Sequence, residues 1–183
     1  MRAVLDTCVI YPTVMREMLL GVAATGAFEP LWSERILEEW ALAARKLGPG
    51  GEVQARGEAA LVGARWPKAI VTWKPSLEDR LWLPDAADVH VLAAAIAGSA
   101  DVIVTLNAKD FPRGVLAEEG VSRSDPDHFL LGYWQADQDG INAVAGNVLA
   151  EARRLSGEPW SARALLKKAR LPRLAKAVSA ALD

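Results

Sequence analysis

Apolar residues recur along this chain in two rhythms. Short dense runs read as strands: "RAVLD" at the start, "FEPLW" at 28–32, "AIVTW" at 69–73 and "VIVT" at 102–105. Between them the apolar positions return every three or four residues. Val14, Met15, Met18, Leu19 and Val22 mark one helix, with Gly26 as its stop. Ile36, Leu37, Trp40, Ala44 and Leu47 mark a second behind a Ser33 N-cap, and two more are predicted over 53–64 and 85–97. "WKPSLEDRLWLP" at 73–84 reads as a connector. Strands alternating with helices predict an α/β architecture around a mostly parallel sheet.

From "SDPDHF" onward the pattern is wholly helical. Ile141, Val144, Ala145, Val148, Leu149 and Ala152 share one face, and two shorter helices follow beyond Gly157 and Pro159. Some 55 residues in short helices bury little core by themselves, so 128–183 reads as a helical extension packed on a domain of residues 1–127.

With 183 residues, 51% of them hydrophobic, the chain can bury a core of ordinary size. The single Cys8 excludes an internal disulfide, and no charged-then-apolar leader precedes the first strand. Even Val89 to Ala100 is too short to span a bilayer. A soluble cytoplasmic protein with no membrane partner is expected. Charge is uneven: residues 1–150 hold 13 Lys+Arg against 20 Asp+Glu, whereas 151–183 hold 8 against 3. A basic tail suits a polyanion or an acidic partner, and is also what a plain solvated helix face carries.

The candidate chemistry lies in acids set at the joints of apolar segments. An ionised carboxylate buried without a partner costs several kcal/mol, so each must reach water, cap a helix or meet a cation. Ligands of an open parallel sheet gather beyond the carboxyl ends of its strands. Asp6 ends the first strand, and Asn107 and Asp110 lie just past "VIVT". An Asx-type turn is the other reading of Asp6. At about 100° per residue, Glu34 and Glu38 fall opposite the Trp40 stripe while Glu39 flanks it, so Glu39 is best placed to face a cleft. Asp85 suits an N-cap and Asp88 the N3 position of the 85–97 helix, both at the positive end of its dipole. Asp101 reads as a turn acid, His90 as a packing residue, and His128 has no partner at metal spacing. No zinc cluster and no glycine-rich nucleotide motif is present. Carboxylates converging from separate segments repel one another unless a cation sits among them. All-oxygen ligation selects Mg2+ or Mn2+, which suit phosphoryl chemistry.

"VLDTCVIYP", "SERILEEW" and "PDAADVHVLAAAIAGSADVIVTLNAKDFP" together resemble the PIN-domain ribonucleases, particularly the VapC-like toxins of toxin–antitoxin pairs. The likeness covers residues 3–113, and the tail from "SDPDHFLL" resembles the helical extension of one VapC-like subgroup. The resemblance implies a PIN-like three-layer sandwich and a metal-dependent endoribonuclease using Mg2+ or Mn2+. Its partners would be RNA and a small antitoxin protein, and a homodimer is compatible with it. Residue by residue, the family's acids match Asp6, Glu39 and Asp88. Its fourth acid stands where this chain has Asn107, so Asp110 is the substitute. An acid often precedes Asp88 directly; here it is Ala87, and Asp85 compensates. Thr7 and Thr105 would hydrogen-bond the ligands, and Arg16 would meet substrate phosphate, an acidic partner or simply a neighbouring acid. Two alternatives stand beside this: a PIN fold that binds without catalysis, and an aspartyl-phosphate phosphatase, for which Cys8 stands where a second Asp is normal.

Overall fold

A computed structural model describes all 183 residues. It separates into two compact units, the first made of Met1–Tyr11 and Glu29–Ser124, the second of Pro12–Phe28 and Asp125–Asp183.

The first unit is built on a four-stranded, all-parallel sheet: β1 (Arg2–Leu5), β2 (Glu29–Leu31), β3 (Val102–Val104) and β4 (Ser122–Ser124), in the spatial order β2-β1-β3-β4. Parallel strands covered on both faces read as unbroken apolar runs. Accordingly Ala3, Val4 and Leu5 are fully buried, and Ile103 and Val104 beside them are too. The register sets Leu5 against Val104, so β1 and β3 end together and the residues after them emerge at the same edge.

The helices of this unit are α1 (Thr7–Ile10), α3 (Glu34–Ala43), α4 (Gly51–Arg65), α5 (Pro75–Asp79), α6 (Val89–Ala97) and α7 (Arg113–Glu118). The Ser33 hydroxyl accepts from the Ile36 amide and starts α3, satisfying one of the orphan donors of its first turn. The helix expected to run to Leu47 tightens into a 3-10 turn at Ala44–Leu47. The one expected over 85–97 begins as a 3-10 turn, Ala86–Asp88, before α6.

The expected strand at 69–73 is not formed. Ile70 makes a single bridge to Trp32, with Trp32 N–H donating to the Ala69 carbonyl and Val71 N–H to that of Trp32, both at 2.9 Å. Its partner chain turns into α3 at Ser33, so no ladder remains to extend.

The second unit is helical: α2 (Thr13–Ala24), α8 (Pro126–Ala136), α9 (Gln138–Ser156), α10 (Ala162–Lys168) and α11 (Pro172–Leu182). Asp125, Asp137 and Ser161 each cap a helix through a backbone amide, and Gly157 closes α9 in the left-handed conformation at φ 69°. Helices α2 and α9 cross closely at Gly21, where an added Cβ would lie 2.6 Å from Val144 Cγ1. Phe28, Phe129 and Tyr133 form an aromatic cluster with centroids 5.0–5.6 Å apart. No helix is long and apolar enough to cross a membrane.

Candidate active site

Strand ends create the site in the first unit. Asp6 follows β1 as the residue preceding α1, and its amide still donates to the Val104 carbonyl, so the sheet fixes its backbone. Its side chain is buried, yet it is met by donors: Thr105 Oγ1 at 2.7 Å and Cys8 Sγ at 3.1 Å, both to Oδ2. Thr105 follows β3, and the parallel register brings the two residues together across 99 positions of sequence. Burial, then the neighbouring Asp6 charge, pushes the Cys8 thiol up to about 12, so it stays protonated and serves as a donor.

Glu39 lies on α3 with both oxygens engaged. Oε2 accepts from Thr7 Oγ1 at 2.9 Å, while Oε1 lies 3.0 Å from His90 Nε2 and 3.3 Å from Arg35 Nε. The His90 approach satisfies the distance of an ion pair but is out of line for a good hydrogen bond. Burial alone would raise the Glu39 pKa, but His90, Thr7 and Arg35 together outweigh it and hold the carboxyl below its ordinary value. Arg35 also donates to the Ala87 carbonyl at 3.3 Å, tying α3 to the acidic turn. Elsewhere on α3, Glu38 is occupied by Arg56 at 2.6 and 2.7 Å, and Glu34 is exposed.

Asp85, Asp88 and Asp110 form the tight group, with one carboxylate oxygen from each within 4.8 Å of the others. Asp85 caps the 3-10 turn through the Ala87 amide at 2.9 Å. Asp88 ends that turn, and Asn107 Nδ2 reaches its Oδ2 at 3.4 Å. Asn107 is in turn anchored by its amide on Thr105 Oγ1. Burial, then the charges of Asp6, Asp85 and Asp110, raises Asp88 to about 6, with His90 opposing. Asp6 is therefore an electrostatic neighbour of the trio although it lies outside it. Glu39 is also outside it. Arg16 sits in the second unit on α2, buried, with Nε 3.6 Å from Glu17.

The donor set fits a hard divalent cation. Oxygens sharing one ion at about 2.0–2.6 Å lie within about 4–5 Å of each other, which is the spacing of this trio. Burial first, and the charges of the neighbouring acids second, raise Asp88, and a cation would offset both. Two contributors were invisible as site residues in sequence. Cys8 carries no motif. Arg35 and Glu39 stand four apart on one helix, a readable pair, but the contact to Ala87 is not local.

The geometry and the comparisons agree on a class. A family model described as PIN domain matches residues 2–109, and the chain belongs to that family. It is also similar to "Putative ribonuclease VapC50" of Mycobacterium tuberculosis (strain ATCC 25618 / H37Rv), 42% identical over 57 residues, which is 31% of this chain and 34% of that protein. The match thus spans about a third of the relative's length. No solved structure matches the chain.

Proposed function

We propose that this chain is a metal-dependent endoribonuclease that hydrolyses RNA phosphodiester bonds in the cytoplasm and is the toxin of a toxin–antitoxin pair, held in check by a small antitoxin protein. The carboxylate trio carries the reading: three acids from two segments meet with no cation-bearing side chain among them, and one is pushed up to about 6. PIN domain membership and the partial likeness to a protein named as a ribonuclease support it.

Asp85, Asp88 and Asp110 would hold Mg2+ or Mn2+, and Asp6 and Glu39, the acids matching the family's, would complete the set around it. Such an ion neutralises a phosphodiester and makes water a better nucleophile. The chain's own residues prepare the place. Thr105 and Cys8 fix Asp6, leaving its Oδ1 without either donor. Thr7 fixes Glu39, and Asn107 steadies Asp88 without adding a charge. Five acids so arranged repel a bare phosphate, so the metal-free site does not bind substrate productively.

The test is cleavage of single-stranded RNA by the purified chain with and without Mn2+, alongside Asp88→Asn. Cleavage that needs the metal and vanishes in the variant supports the reading. Metal binding with no cleavage of any RNA would instead assign a PIN fold that binds without catalysis, the outcome favoured if Asn107 cannot stand in for an acid.

A further inference from the structure

We infer that the α10–α11 hairpin of the second unit is a docking surface for RNA phosphates, an inference that rests on the ribonuclease reading and names where substrate is gripped. Arg163, Lys167, Lys168, Arg170, Arg173 and Lys176 are all exposed on this hairpin. No Asp or Glu occurs between residues 159 and 182. None of the six enters an ion pair with a carboxylate; Lys168 alone is engaged, its Nζ 4.8 Å above the Trp160 ring. Of the two acids that flank this stretch, Glu158 and Asp183, Asp183 is already committed, its two oxygens accepting from the amides of Ala162 and Arg163. Elsewhere, exposed Arg35, Arg45, Arg56, Arg80 and Arg154 each pair with a glutamate, while the unpaired exposed arginines Arg65 and Arg113 stand singly. What sets the hairpin apart is density: six exposed cations fall within residues 163–176 with no acid among them.

Three partner classes accept a cationic surface, and the chemistry selects one. A membrane-surface helix needs a free apolar face to insert. Here the apolar face of Leu165, Leu166, Leu171, Leu174 and Val178 is buried inside the protein. A protein interface is anchored by exposed aromatic and apolar residues and is poor in Lys. The hairpin exposes neither kind of anchor among its cations, and half of those cations are lysines. Phosphates spaced along a nucleic-acid backbone need only fixed positive charges, each releasing counterions on contact. Asp127 holds the start of α11, which carries Arg173 and Lys176, by accepting from the amides of Arg173 and Leu174 at 2.9 Å.

The experiment measures binding of a fluorescent single-stranded RNA of about 30 nucleotides to the full chain in EDTA, over a range of salt. It compares wild type, a neutralised variant (Arg163→Gln, Lys167→Gln, Arg173→Gln, Lys176→Gln) and a charge-preserving one (Lys167→Arg, Lys176→Arg). Lys168 and Arg170 are kept because of the Trp160 contact and the left-handed backbone of Arg170 at φ 64°. Neutralisation should weaken binding about tenfold or more near physiological salt and flatten the log K against log salt slope by about 0.7 per lost contact, while the charge-preserving variant binds like wild type. A neutralised variant that keeps its circular dichroism and binds RNA with an unchanged slope overturns the inference and leaves the nuclease reading intact. So does wild type that ignores RNA but binds phosphatidylserine vesicles or an acidic polypeptide. RNA binding that depends on the hairpin, with no metal-dependent cleavage, overturns the nuclease reading alone.

Discussion

His90 Nε2 lies 3.0 Å from Glu39 Oε1, so a fully buried ring two positions beyond Asp88 steadies a carboxylate on a different helix. Groups that orient a ligand from behind typically contribute 10–100-fold in metal affinity. His90→Leu should therefore lower Mn2+ affinity by about tenfold in calorimetric titration, and Thr7→Val by a similar factor, whereas His90→Gln keeps a donor and should recover part of it. Wild-type affinity in all three variants would show that Glu39 needs no such support.

Asp88 gives the metal-free chain a definite pH response. Its folded pKa is raised from 3.8 to about 6, so the folded state holds the proton more tightly than the unfolded chain does. That contribution is fully present below about pH 4 and is lost as pH rises through about 6. For a part-exposed carboxyl, solvent screening brings it to about 1 kcal/mol. Because lowered carboxyls such as Glu39 and Glu52 contribute in the opposite direction, the melting temperature of wild type in EDTA should fall relative to Asp88→Asn between those pH values, and Mg2+ should restore it above about pH 6 but not below about pH 4. A wild-type melting temperature that gains on Asp88→Asn across this window in EDTA would contradict the raised Asp88.

At the edge of β3 the two candidates for a fourth ligand make opposite predictions. Asp110→Ala removes one of three clustered carboxylates, so it should weaken Mn2+ binding at least tenfold and impair RNA cleavage with it. Asn107→Asp replaces a donor 3.4 Å from Asp88 with a second charge. It should lower stability in EDTA and raise metal affinity. If both variants bind metal and cleave RNA like wild type, neither position belongs to the active site.

Toxicity offers a cellular check on the proposed function. Expression of the chain alone should arrest bacterial growth, and Asp6→Asn or Asp88→Asn should relieve the arrest at equal protein level. Arrest undiminished in both variants would point to a mechanism that does not use these acids.

The second unit has its own critical acid. Asp127 is buried and satisfies two amides at the start of α11. Asp127→Ala leaves both without their partner and should cost about 1–3 kcal/mol, read as a lower urea midpoint with little change in the first unit's metal affinity.

By itself the sequence determined what acts over a few residues. The apolar runs of β1 and β3 specified the centre of the sheet, Ser33 specified the start of α3, and periodicity specified α2, α4 and the C-terminal helices. It also placed Asp6 and Thr105 at strand ends, because a strand's last residue is a local property. Polar β4 escaped notice since "SRS" carries no apolar signature; as an edge strand it is held by backbone pairing to β3. The 69–73 segment had the composition of a strand, but a ladder needs a partner, and the chain opposite turned into a helix at Ser33. The resemblance had already named Asp85, Asp88, Asp110 and Thr7 for one site; tertiary structure alone decided that the three aspartates form its tightest group, that Thr7 and His90 both meet Glu39, and that Cys8 donates to Asp6. It also decided that α2 clusters with the C-terminal helices although strands flank it in sequence. These arrangements depend on contacts such as Thr105 to Asp6, 99 residues apart, whose formation is set by strand register and helix packing rather than by any local propensity.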